Sequence, residues 1–88
     1  MLFIYPHGDG YRNIWMKNMM ISLDIIWVAS DGYVTKVEHD VPAAKQGASD
    51  AFAQTNGYGR YVIEIAAGEA QRNEITAGSF LTLPVGTK

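Results

Sequence analysis

From Leu23 to Val28, apolar residues fill both alternating sets of positions: Leu23, Ile25 and Trp27 on one, Ile26 and Val28 on the other. A strand covered on both faces has this pattern, and it predicts a buried strand over Leu23 to Ala29. The surrounding segment from Ile14 holds both tryptophans and three of the four methionines, with Lys17 and Asp24 its only charges. Fifteen such residues, two of them charged, are too few for a membrane helix, so a buried hairpin is the better reading.

Flanking runs predict further strands. Met1 to Tyr5 is stopped by Pro6 and a His7-Gly8-Asp9-Gly10 turn, and Tyr11 to Lys17 resumes the β pattern. Asn18 to Ser22 then connects to the buried strand. Asp31-Gly32, set between strand formers, is a two-residue hairpin signal leading into Tyr33 to His39. In that return strand Lys36 and Glu38 share a parity, so one face meets water. Arg60 to Ala66, with Glu64 its lone polar member after Tyr61, and Ser79 to Leu83 complete the set. Ala67 to Glu74 is the single helical candidate. Asp40 to Gly59 has no lasting period and predicts a surface loop of roughly 18–20 residues, a length uncommon in compact domains unless the loop is functional or mobile. Together these runs predict a mainly β (α+β) chain. It is expected to be a small, β-barrel-like or strongly curved antiparallel sheet with one short helix near residues 67–74, forming one domain over residues 1–88.

Composition narrows the partners. The chain has seven basic and nine acidic residues, a net charge of −2, and no basic run. Nucleic-acid binding needs clustered Lys and Arg to displace phosphate counterions, and that footprint is missing. Without cysteine, disulfides, thiolate zinc sites and cysteine nucleophiles drop out, while the compartment stays open. The opening Met-Leu-Phe-Ile-Tyr-Pro has no basic region and only a four-residue apolar run, so it does not read as a signal peptide; as it stands the chain reads as cytoplasmic. At this size a domain buries only roughly 60–65% of its unfolded surface, so stability is marginal unless the core is rich or the protein associates; at 48% hydrophobic the core is fairly rich.

The order Met-Leu-Phe-Ile-Tyr-Pro, Ile-Trp-Met-Lys-Asn, Ser-Leu-Asp-Ile-Ile-Trp-Val, Asp-Gly-Tyr-Val, Pro42, Tyr-Val-Ile-Glu-Ile-Ala-Ala-Gly and Ile-Thr-Ala-Gly resembles the DUF192 (UPF0127) family. The matching positions are Trp15, Met16, Lys17, Asn18, Leu23, Asp24, Gly32, Glu64, Gly68 and Gly78. The resemblance implies a compact β-rich, barrel-like domain, often exported in bacteria, with no established activity. Relative to that pattern, the chain begins where a leading strand would already have passed. Gly78-Ser79 replaces a Gly-Asp, and Asn73 or Glu74 stands where a glycine would end the helix. A missing leading strand would leave an edge or groove uncovered, hence an expected homodimer or higher assembly.

The candidate site residues are Trp15, Lys17, Asn18, Asp24, Trp27 and His39. Charges inside an apolar stretch need partners or water. A two-residue Asp31-Gly32 turn sets Asp24 opposite His39, and a symmetric hairpin through Asn18 to Leu23 sets Lys17 opposite Asp24. The three would then form one row, whereas a three-residue turn with a bulge at Gly32 would break it. Such a row reads first as an ion pair fixing register. The functional reading is a polar anchor in a pocket, or an acid/base set with a tuned histidine. His7 and Asp9 could offer an imidazole and a carboxylate to a metal, with His39 or Asp40 as further ligands. But His-x-Asp has too little spacing specificity for a metal site, and glycine-flanked His and Asp are ordinary turn residues. Trp27 opposite Lys36 suggests a cation–π contact. No nucleophile motif or phosphate-cradling loop is present, so neither catalytic residues nor a cofactor or metal is assigned. The favoured reading is a non-catalytic module for a small-molecule or protein ligand; the alternative is a small hydrolase-like acid/base enzyme using Lys17, Asp24 and His39.

Overall fold

The computed structural model describes residues 2–15, 21–42 and 54–82, excepting the side chains of 14, 15, 54 and 55. Among these residues, six strands precede one short helix: β1 (Leu2–Ile4), β2 (Gly10–Trp15), β3 (Leu23–Val28), β4 (Val34–Val41), β5 (Gln54–Gly59), β6 (Tyr61–Ala66) and α1 (Glu69–Arg72). β3 lies inside an antiparallel sheet of order β1-β6-β3-β4, and β2 pairs with β5 in a separate antiparallel ribbon. The expected β-rich architecture with one helix is present, shortened at both helix ends. Among the described residues the sheets do not close into a barrel. Side chains, not a ladder, tie β4 to β5: Thr35 Oγ1 donates to the Tyr58 carbonyl and Lys36 Nζ to the Asn56 carbonyl at 2.7 Å.

Every residue of β3 is buried, as its double-parity pattern requires. Leu23, Ile25 and Trp27 pack with Val62, Phe3, Tyr5 and Val41 on one face. Ile26 and Val28 join Val34, Tyr61 and Ala70 on the other, flanked by Ile65 and Ile75.

Three expectations need correction. β2 pairs with β5, not β3, so the β2–β3 hairpin expected from the sequence is absent among the described residues. The supposed long loop carries β5, whose Gln-Thr-Asn-Gly-Tyr-Gly sequence is a poor strand former. The physical reason is contact: a Cβ on Gly57 would stand 2.3 Å from Trp27 Cδ2, and one on Gly59 2.5 Å from the Val28 carbonyl oxygen. Only bare backbone can lie that close. Finally, Ser79 to Leu83 forms no extended strand among the described residues; Phe80 makes a single bridge to Tyr33.

The β3–β4 turn has three residues, Ser30-Asp31-Gly32, closed by Ala29 N–H on the Tyr33 carbonyl and Gly32 N–H on that of Ala29. Gly32 takes φ +93, the left-handed position such a loop demands. Asp9 pins this turn to the β1–β2 connection by accepting from Ser30 N–H and Oγ, both at 2.8 Å. An irregularity at Thr35 then restores the alignment expected from a two-residue turn, so Ile26 faces Val37 and Trp27 faces Lys36. The expected cation–π contact gives way to other partners: the Lys36 ammonium goes to Asn56 and to Glu38 at 2.8 Å.

Gly57→Ala should therefore destabilise the fold by about 1–3 kcal/mol through overpacking against Trp27, whereas the exposed Asn56→Ala should change it by less than about 0.5 kcal/mol. Urea midpoints of the two variants check this.

Candidate functional site

Asp24 has no exposed surface, yet it is charged. It occurs where β4 bulges: Leu23 faces Val41 and Ile25 faces Glu38, so His39 and Asp40 together oppose Asp24. Asp40 adopts φ +52 there, which turns its N–H onto Asp24 Oδ1 at 2.8 Å. Oδ2 accepts two more bonds, from Gly68 N–H at 2.9 Å and Ala70 N–H at 3.0 Å. Both donors belong to the start of α1, where no side chain of the helix's own N-cap residue, Gly68, provides a cap. A carboxylate from β3 thus satisfies amides that a helix end leaves orphaned.

The balance of these forces sets its titration. Burial, the largest single influence, pushes the carboxyl upward. The Asp40, Ala70 and Gly68 amides and the neighbouring His39 together outweigh it, and Asp24 titrates below its ordinary value of 3.8.

Above this carboxylate opens a cleft of ≈ 540 Å³ between the β4 bulge and α1, lined by Asp24, His39, Asp40, Ala67, Gly68, Gln71, Glu74, Ile75 and Thr76. Its far rim depends on how α1 ends. Glu74 N–H bonds the Gln71 carbonyl, Ile75 N–H bonds that of Ala70, and Glu74 holds φ +56. This is a Schellman ending with glutamate in the left-handed place glycine usually takes. Asn73, the other candidate for that place, has φ −95 and donates from its side-chain amide to the Glu69 carbonyl. Both non-glycine residues with positive φ among those described, Asp40 and Glu74, line the cleft.

Of the residues singled out from the sequence, Asp24 and His39 meet at this cleft, with His39 exposed at the rim. Trp27 is fully buried on the opposite face of β3, against Gly57, and has no part in the cleft. Trp15 ends β2 opposite Gln54. Lys17 and Asn18 lie outside the described residues. The sequence offers Asp40 only as a further metal ligand beside His7 and Asp9, and Ala67, Gln71, Ile75 and Thr76 carry no site signal; Gly68 and Glu74 do, as a matched glycine and as an acid replacing one.

The fold and site define an antiparallel, mainly β protein whose short helix α1 is capped from the central strand. The chain belongs to the DUF192 family, described as "Uncharacterized ACR", whose pattern matches residues 1–83. No curated protein matches it. Among solved structures it is similar to a "putative transcription regulator" from Sinorhizobium meliloti 1021, at 26% identity and TM-score 0.70, covering 89% of this chain and 57% of that one. It is also similar to a protein of unknown function from Novosphingobium aromaticivorans DSM 12444, at 28% identity and TM-score 0.67, covering 89% of this chain and 52% of that one. The chain thus spans a little over half the length of these relatives.

Asp24→Ala should cost about 3–5 kcal/mol, because it strands three amide donors and removes the charge that satisfied them. Chemical denaturation would measure it, with a loss under about 1 kcal/mol refuting the role. The pH dependence has a definite sign. The folded pKa is depressed, so this stabilisation is complete above the unfolded value and fades as pH falls from 3.8 through the folded value. Glu64, raised above its usual 4.5 by burial, works in the opposite direction. The Asp24 share is isolated by comparing wild type with Asp24→Asn: the difference in unfolding free energy should narrow in that acidic window.

Proposed function

We propose that this chain acts as one non-catalytic binding module whose cleft receives a small ligand with a cationic or hydrogen-bond-donating head and a short aliphatic stem. The observation that carries this reading is the construction of the cleft. A buried carboxylate is committed to holding both walls, while Asp40 and Glu74 stay exposed at its rim. Gln71 and Thr76 add polar groups and Ile75 and Ala67 apolar surface, and among the described residues neither lysine nor arginine lines the space. That is the usual make-up of a small-molecule site: a concave surface with few polar groups.

The acid/base alternative is weaker. A general base works best with a pKa near the operating pH, and Asp24 moves away from it, with its oxygens occupied by backbone amides. A nucleic-acid role, suggested by the description of the Sinorhizobium relative, gains no support from a net charge of −2.

The module is also proposed to self-associate through its β1 edge. β1 ends the sheet and carries Ile4, 44% exposed. An open strand edge with apolar side chains recruits another strand. Sedimentation at micromolar concentration should give a dimer, and a clean monomer would refute it.

Ligand binding is tested by titrating amine and guanidinium fragments into labelled protein. Amide shifts should concentrate at His39, Gly68, Gln71 and Thr76. Asp40→Asn, which keeps a residue tolerant of the left-handed region, and Glu74→Gln should each weaken binding about tenfold, or about 1.4 kcal/mol. Glu74→Gly should weaken binding too, yet raise unfolding free energy by about 1 kcal/mol by relieving the positive φ. Shifts scattered away from the cleft would overturn the reading.

A further inference from the structure

A second surface, on the far side of the core from the cleft, has its own chemistry. In the β2–β5 ribbon, Tyr11 pairs with Tyr58 and Asn13 with Asn56. Residues two apart share a face, and all four are exposed. The intervening positions turn inward. Gly57 and Gly59 close on Trp27 and Val28, while the Arg12 guanidinium donates to the Gly8 carbonyl at 2.7 Å and covers the Tyr5 ring at 4.2 Å. The ribbon's one cation is thus withdrawn, and the outward side chains of these two pairs are two phenols and two amides.

We infer that this face binds an extended, neutral, β-linked oligosaccharide. A sugar ring presents a C–H face and a fringe of hydroxyls that both donate and accept. Tyr11 is 87% exposed and meets Tyr58, itself 41% exposed, edge-to-face at 5.1 Å and 70°, which leaves ring surface open for the C–H face. Each asparagine amide supplies two donors and an acceptor for the hydroxyls. The charge match decides between ligands. The one ammonium that reaches this face, Lys36 on the Asn56 carbonyl, is already paired with Glu38 at 2.8 Å. A charged polymer therefore finds no free counter-charge there, whereas a neutral one brings no ion to be desolvated. The platform is also held rigid from behind, by Thr35 on Tyr58, Lys36 on Asn56 and the Gly57–Trp27 contact. Aromatic anchors fixed before binding lose little entropy on contact. The two displayed pairs lie two residues apart, roughly 7 Å along the strands, so one ring can rest on the tyrosines while the next in the chain meets the asparagines.

The test titrates cellohexaose and chitohexaose, with an oligogalacturonate as the anionic contrast, into the labelled full chain. Shifts at the Tyr11, Asn13, Asn56 and Tyr58 amides are expected with a neutral hexasaccharide and not with the anionic one. Tyr11→Ala, at a side chain exposed enough to leave folding intact, should weaken binding at least about tenfold, with Tyr11→Phe close to wild type. Glu74→Gln in the cleft should leave sugar binding unchanged, which separates this site from the other. Several results would overturn the inference: silence of those four amides toward both neutral sugars at millimolar concentration, equal binding by Tyr11→Ala, or preference for the anionic sugar. Concentration-dependent shifts at the same amides without sugar would do so as well, by assigning the face to a second copy of the chain.

Discussion

A single buried carboxylate fixes the relation between the central strand, the β4 bulge and the helix. Moving an unpaired charge into a protein interior costs several kcal/mol, and Asp24 offsets that cost with three backbone amides at 2.8–3.0 Å. Bonds of this charge-assisted kind contribute roughly 1.5–3 kcal/mol each, so the arrangement holds only while all three donors stay in reach. A four-residue helix has almost no stability of its own. Its place is set by Asp24 at one end and by the packing of Ala70 and Ile75 beneath it.

The opposite face of β3 imposes a different constraint. Trp27 presents a flat ring that must be covered, and the cover is main chain, not side chain: Gly57 of β5. A strand chosen for such proximity gives up the β-branched and aromatic residues that usually announce strands. Its other side then becomes a place where tyrosines and asparagines are displayed at low cost to the core.

This division explains what could be read from the chain. β3 was legible because burial on both faces writes itself into both parities of the sequence. Asp24 was legible as a charge in an apolar run. Its partners were not, because backbone amides carry no residue identity, whereas Lys17 and His39 stand out in the sequence as candidate partners. His39 does come close, but by way of a bulge rather than a direct pairing. β5 was hidden because the requirement it meets, closeness to Trp27, lies in a partner far away in sequence. The end of α1 was half visible: the missing glycine could be noticed, but only geometry assigns the left-handed position to Glu74 and not Asn73.

The turn between β3 and β4 and the irregularity at Thr35 behave like two compensating frameshifts. The three-residue loop displaces the pairing by one place, and the extra residue at Thr35 displaces it back. Either alone would slide β4 along β3 and turn its inward side chains to water. Together they leave everything from Lys36 to Glu38 in frame. Length changes in this hairpin are therefore tolerable only in matched pairs: a homologue that loses a loop residue must also lose the bulge. The freedom to vary loop length, usually granted to surface turns, is here tied to a position several residues away in β4.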